Sequence, residues 1–415
     1  MKRAFLLTAI LGLLVTAFKT DTREKDFIKE NFSFADTQLS NMLKEVGNRK
    51  NAFPRTTDRN GQLVTTNMYD WTPGFFPGTL WYAYEYAHNA TLKNEAIRWT
   101  EQLEPLKDFT AHHDLGFMTY CSFGNAYRLT GNEAYKAILV KAAHSLSTRY
   151  NPVTGCIKSW NQFKSWHGNK TYNFPVIIDN MMNLELLFFG AKASGDTMLR
   201  HIAISHAVNT MRYQVRKDYS SYHVVCYDTA TGKVAGRETA QGYADNSTWS
   251  RGQAWGIYGF TMVYRETKDK RFLQTAIGMA DFYLKNLPAD KIPYWDFNAG
   301  QQGYAPGVNS NALKVKGEYR DVSAAAITAS ALFELSTYAG NKGAAYRKAA
   351  IDMLHTLSTT TYRASTGTNG NFLLLHSVGS IPHNSEIDAP LVYADYYYLE
   401  ALLRYNRSLT KSVGQ

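Results

Sequence analysis

The sequence predicts an all-α fold, an (α/α)6 barrel of six inner and six outer helices, and three observations carry that expectation. Helix pairs recur along the chain, the two helices of each pair differ in kind, and one helix without a partner remains at each end.

At the N-terminus, Lys2 and Arg3 precede an apolar run from Ala4 to Leu14 and the small-residue stretch Val15-Thr16-Ala17. This pattern reads as a secretory signal peptide over residues 1–17, which places the mature chain, one (α/α)6-barrel domain over residues 18–415, in a periplasm or outside the cell. The run is too short to span a bilayer, and no later stretch reaches the roughly 20 apolar residues a span needs, so no membrane span is expected. An amphipathic segment from Asp26 to Val46 follows.

The pairs come next. The first starts at Thr72 and breaks at His88-Asn89, and the second starts at Asp114 and breaks at Thr130-Gly131-Asn132. Others start at Asp179, Arg251 and Ser323, and break at Gly195-Asp196, Lys268-Asp269 and Gly340-Asn341. First helices, such as VSAAAITASALFELSTYAG, are apolar or small on nearly every face, as a helix buried all round must be. Second helices carry one stripe. Tyr135, Ile138, Leu139, Ala142, Ala143 and Leu146 recur with helical period, as do Tyr346, Ala349, Ala350, Met353, Leu354 and Leu357. These form an outer layer. A sixth inner-type helix, DAPLVYADYYYLEALLRYN, follows Asp388, and the Asp26–Val46 segment supplies its outer partner. Two long stretches, residues 151–175 and 213–250, rich in Tyr, Trp, Gly and polar residues, read as irregular or strand-like structure of functional type.

With 45 basic and 35 acidic residues the chain carries a formal charge of +10, still +8 without Lys2 and Arg3. The surplus favours anionic partners. The charges are scattered without basic runs, which together with export argues against nucleic acid and for an acidic glycan. Three cysteines, Cys121, Cys156 and Cys226, show neither disulfide-framework nor metal-ligand spacing. Aromatic residues make up 14% of the chain; core packing explains most of them, and a minority near polar loops are candidates to stack on sugar rings.

Because each inner helix is followed by an antiparallel outer one, all inner helices point the same way and their N-termini share one rim. That rim collects Trp71, Thr72, His113, Asp114, Asp179, Asn180, Arg251, Asp321, Ser323 and Asp388, and helix N-termini favour anions. Asp321 and Asp388 read as N-caps. Asp179 differs, because it starts a helix directly after Phe174-Pro175-Val176-Ile177-Ile178; desolvation there favours the protonated acid while the helix N-terminus opposes it. A carboxyl poised between its two forms suits acid/base work.

The strings DWTPGFFPG at Asp70–Gly78, HDLGFM at His113–Met118, IIDNMMNLELL at Ile177–Leu187, QGYADNSTWSRGQAWGIYGF at Gln241–Phe260 and the terminal YADYYYLEALLR resemble the unsaturated glucuronyl hydrolases of glycoside hydrolase family 88. The landmarks span nearly all of the mature chain, and that family's (α/α)6 barrel agrees with the repeat.

The resemblance implies Asp179 as acid/base, Asp114 as a second essential carboxylate, and His223, Gln241, Arg251 and Trp255 around the bound uronate. Arg251 is a natural carboxylate partner by its fork geometry. Trp255, four residues on and so on the same helix face, reads as a ring-stacking wall beside it. Trp71, Trp160 and Trp166 are further candidate walls, whereas Tyr393 and Tyr396 read as core.

The implied substrate is an acidic unsaturated oligosaccharide whose terminal uronic acid carries a C4=C5 double bond left by a lyase. In the implied chemistry protonation at C4 and addition of water at C5 give a hemiketal that opens and releases the neighbouring sugar. No cofactor and no metal are expected. The alternatives are an unsaturated galacturonyl (rhamnogalacturonyl) hydrolase on the same barrel, an inverting glycosidase using Asp114 and Asp179 on intact sugars, and a non-catalytic glycan-binding protein.

Overall fold

A computed structural model describes residues 2–411, with side chains from residue 22 to residue 410; the predicted export segment, residues 1–17, lies outside the described side chains. Among the described residues twelve long helices form the barrel. Five inner–outer pairs follow one another: α2 Phe75–Ala87 with α3 Ala90–Glu101, α4 Gly116–Thr130 with α5 Glu133–Ser147, α6 Asn180–Ser194 with α7 Thr197–Tyr213, α8 Ser250–Thr267 with α9 Lys270–Lys285, and α10 Val322–Leu335 with α11 Gly343–Leu357. The last inner helix, α12 Val392–Lys411, is partnered by the first, α1 Lys2–Val46. Contacts between neighbouring inner helices run α2, α4, α6, α8, α10, α12 and back to α2, which closes the ring.

Burial follows the division that the apolar patterns predict. Helix α8 is buried continuously from Ser250 to Val263, and α10 from Val322 to Phe333. Outer helices bury one face only: Ile28, Phe32, Ala35, Leu39, Met42 and Val46 on α1, Leu139, Ala142, Ala143 and Leu146 on α5. The breaks are made as their residues suggest. Gly131, Gly195, His88 and Lys268 take the left-handed conformation that ends a helix, and Asn89, Asn132, Asp196 and Asp269 accept a backbone N–H to cap the next. Among the described residues no helix is long and apolar enough to cross a membrane. All three cysteines are buried and unpaired.

Two features of the barrel rim lie beyond the repeat. The first nine residues of α4, Gly116–Gly124, form a π-helix, a wider winding frequent at functional sites. Gly116 itself is pressed so closely onto α6 that a Cβ there would lie 2.6 Å from Asn183 Cα, while the Asn183 side-chain oxygen accepts from Phe117 N–H at 2.9 Å. This contact draws the starts of α4 and α6 together.

Short strands fill the long rim segments. They are β1 Phe53–Thr57, β2 Leu63–Thr66, β3 Tyr150–Asn151, β4 Cys156–Ile157, β5 Phe163–Lys164, β6 Thr171–Tyr172, β7 Pro175–Ile177, β8 Val224–Tyr227, β9 Val234–Glu238, β10 Ser377–Ser380 and β11 Ser385–Ala389. The strand-like reading of residues 151–175 and 213–250 is thereby met. Strands β7, β8 and β9 make one antiparallel sheet with Ile177 opposite Val224; one step on, Ile178 N–H donates to the His223 carbonyl at 3.1 Å, which brings Asp179, the next residue, beside the His223 ring.

The N-cap reading of Asp388 is corrected here. Asp388 belongs to β11, in a hairpin with β10, and α12 starts only at Val392. Its carboxylate meets His376 Nδ1 at 2.7 Å instead of a helix N-terminus. The left-handed backbone at Asn384, Glu386 and Asp388 is what a tight, irregular hairpin requires, and neither its length nor its composition stands out in the chain. Asp321, by contrast, does cap α10, accepting from Ser323 and Ala324 N–H at 3.1 and 3.4 Å.

Candidate active site

At the shared N-terminal rim the barrel opens into a cavity of about 590 Å³. Trp71, Asp114, Trp160, Trp166, Asp179, Gln241 and Arg251, all singled out from the sequence, line it. Gln162, Lys164, Asn309 and His383, which no motif in the sequence marks, line it as well. Gln162 and Lys164 fall within the tryptophan-bearing rim segment, so that signal was present. His383 sits in the β10–β11 turn, with Nδ1 2.6 Å from Ser380 Oγ and its ring edge-on to Trp166 at 4.8 Å, and nothing in the local sequence marks it.

Asp179 sits at the N-cap position of α6 without a side-chain cap bond, 7% exposed. Its carboxyl is therefore free for other work. Burial pushes it up to about 7; Arg251 pulls against that shift and the charge of Asp114 adds to it. Asp114 goes the other way. Burial would raise it, but His113, His112 and Arg149 together outweigh burial and hold its carboxyl below the usual range. Two carboxyls in one cavity with affinities for the proton driven apart divide naturally into an acid and an anion.

Histidines set the surroundings of both. His223 Nδ1 accepts the backbone N–H groups of Ala240 and Gln241, each at 3.1 Å, so the ring proton resides on Nε2. That Nε2 lies 3.7 Å from Asp179 Oδ2. Burial, reinforced by Arg251, holds His223 neutral, well below the ordinary histidine range. His113 is fully buried with Nε2 3.4 Å from Asp114 Oδ1, and burial drives it down to about 4, so it too is neutral at physiological pH.

The fork of Arg251 is turned differently from what its residue type suggests. Nη1 meets Asp321 Oδ2 at 2.8 Å and the Val378 carbonyl, while Nη2 meets the Gly379 carbonyl at 2.6 Å. Both Nη groups are thus committed to α10 and β10, and the guanidinium is stacked on Trp249 at 4.4 Å. Arg251 is a buried positive charge in the cavity wall, with Nε and one Nη2–H not used in these contacts.

Trp255 needs correction as a stacking wall. It is fully buried, packed between Phe117 and Tyr397 at 5.1 and 5.3 Å, one turn below Arg251 in the barrel. Its contribution is made from underneath, where it helps to hold the Asp179 carboxyl down. Trp71, Trp160 and Trp166 provide the aromatic walls. Tyr393 and Tyr396 are buried as expected, Tyr396 hydrogen-bonding Tyr82 at 3.0 Å.

No family model matches the chain. Over 420 residues it is 42% identical to the unsaturated glucuronyl hydrolase of Formosa agariphila, a match that takes in 99% of this chain and 100% of that protein. The chain belongs to the unsaturated glucuronyl hydrolases. A crystal structure of an unsaturated glucuronyl hydrolase specific for heparin superposes with a TM-score of 0.84 at 46% identity, covering 92% of this chain and 98% of that one. An unsaturated glucuronyl hydrolase of Streptococcus agalactiae, an aspartate-to-asparagine variant complexed with dGlcA-GalNAc6S, superposes with a TM-score of 0.73 at 31% identity over 91% of each chain. Solved unsaturated glucuronyl hydrolases therefore share this barrel along nearly its whole length.

Proposed function

We propose that this enzyme releases the terminal 4,5-unsaturated glucuronic acid from lyase-generated glycosaminoglycan oligosaccharides by hydrating the C4=C5 double bond, with Asp179 as the proton donor. The observation that carries the reading is the divided pair: a buried carboxyl raised to about 7 beside one held ionised, in a cavity walled by tryptophans.

The enol ether is protonated at C4 by Asp179. Positive charge then develops on C5 and the ring oxygen, and ionised Asp114 stabilises it electrostatically. Water adds at C5 and gives its proton to the Asp179 carboxylate, which restores the acid. The resulting hemiketal opens, and the bond to the neighbouring sugar breaks without attack at the anomeric carbon. The Nε2–H of His223 faces the same carboxyl at 3.7 Å. The charge of Arg251, the N-termini of α6 and α8 and the amide of Gln241 attract the uronate carboxylate. Trp71, Trp160 and Trp166 pack on the sugar faces. The basic surplus of the chain draws acidic oligosaccharides to the rim. The export signal at residues 1–17 sends the enzyme to where such fragments arise, a periplasm or the medium.

Turnover of lyase-derived heparin-type and chondroitin-type disaccharides tests this reading. The ultraviolet absorbance of the double bond is expected to disappear with one or both, while their saturated counterparts stay intact. Cleavage of the saturated sugars at comparable rates would favour ordinary hydrolysis at the anomeric carbon.

A further inference from the structure

We propose that His112 is a positioning residue of this reaction, whose second ring proton is shared with Asp114 and thereby sets how tightly Asp179 holds its own. The inference rests on the reading of Asp179 and Asp114 given above.

The geometry of the ring defines its proton states. Nε2 of His112 lies 3.2 Å from the Tyr69 carbonyl oxygen, which only accepts, so Nε2 carries hydrogen in both states of the ring. Nδ1 faces two groups of Asp114, the backbone N–H at 3.3 Å and carboxylate Oδ2 at 3.1 Å. When the ring is neutral, Nδ1 accepts the backbone N–H. When it is protonated, Nδ1–H donates to the carboxylate. The next proton that His112 takes up is thus placed between ring and carboxylate.

The other groups around the ring leave this pairing in control. His113 lies beside it in the chain, Arg149 approaches from beyond α5, and the Phe109 ring packs edge-on at 4.7 Å. Burial of the ring and Arg149 disfavour its cation; the Asp114 carboxylate and the Tyr69 carbonyl outweigh them and raise its affinity for the proton. The ring keeps about a fifth of its surface exposed, which gives it exchange with solvent that buried His113 lacks.

The effect reaches Asp179 through Asp114, whose negative charge favours the protonated form of Asp179. While His112 is cationic it offsets part of that charge. Removing the cation leaves Asp114 uncompensated, so Asp179 keeps its proton to higher pH. His112→Gln is therefore expected to shift the alkaline limb of the pH profile of kcat/KM upward by roughly half a unit to one unit, the size of one charge lost at close range. His112→Lys, which retains a cation, is expected to leave that limb at or below the wild-type position.

A second measurement does not depend on substitution of His112. In wild type the His112 ring signals are expected to titrate above the ordinary histidine range by NMR, and in Asp114→Asn the titration is expected to fall by at least half a unit. An unmoved alkaline limb in His112→Gln, or the same ring titration with and without the Asp114 carboxylate, overturns this role while leaving the proposed reaction standing. Absence of turnover by the wild type would overturn the reaction itself.

Discussion

Asp179→Asn is expected to lower kcat by about a hundred- to ten-thousand-fold, the range that a positioned acid/base contributes, with substrate affinity and the unfolding midpoint nearly unchanged. The amide matches the carboxyl in shape, and a site that already favours the uncharged form accepts a neutral group without a new desolvation cost. What the amide lacks is a transferable proton. In the wild type the same proton dictates the pH dependence. A donor raised to about 7 is loaded below that pH and empties above it, so kcat/KM is expected to fall about tenfold per unit on the alkaline side. Activity of Asp179→Asn within tenfold of wild type would remove Asp179 from the role of acid.

Asp321→Ala is expected to destabilise the barrel by about 3–5 kcal/mol, because it strips one partner from an ion pair that is out of contact with water. Arg251 is 1% exposed and Asp321 fully buried, and their contact at 2.8 Å ties the start of α8 to the start of α10. The same substitution removes the cap of α10. Activity should suffer in a specific way. With its negative partner gone, the charge of Arg251 acts on Asp179 without compensation and lowers the affinity of Asp179 for its proton, so the alkaline limb should move to lower pH. Denaturant unfolding and a pH profile of the remaining activity measure the two effects. An unfolding midpoint equal to wild type would show that the pair contributes little to holding the rim together.

What could be read in the sequence and what could not differ by the range of the forces involved. The barrel was legible because its signal is periodic and local: an inner helix such as α10 is apolar on all faces, an outer helix such as α5 on one, and Gly131 or Gly195 ends what precedes it. Asp179 was legible for the same reason, since the apolar run before it foretells burial of the carboxyl. The direction of its shift was not, because the outcome depends on Arg251 and Asp114, which are distant in the chain and near in space.

Arg251 shows the limit most clearly. As a residue it invites a carboxylate ligand, and most of its fork is taken by Asp321, 70 positions on, and by carbonyls of β10, more than 120 positions on. Trp255 shares the helix face of Arg251, as the i, i+4 spacing says, but the face turns inward so that one turn lower means inside the core. Asp388 failed as a cap because the hairpin that holds it has irregular register and no repeating pattern. The sequence does not mark His112, since a histidine beside HD gains meaning only once the Tyr69 carbonyl has fixed its tautomer.

The central claim, that Asp179 delivers a proton to a double bond and not to a glycosidic oxygen, is tested most directly by turnover of an unsaturated disaccharide in deuterium oxide. The account predicts one deuterium at C4 of the released keto-uronate, on a single face, because the proton comes from solvent through one fixed carboxyl. A first product recovered as intact unsaturated uronic acid, with no deuterium at C4, would contradict it.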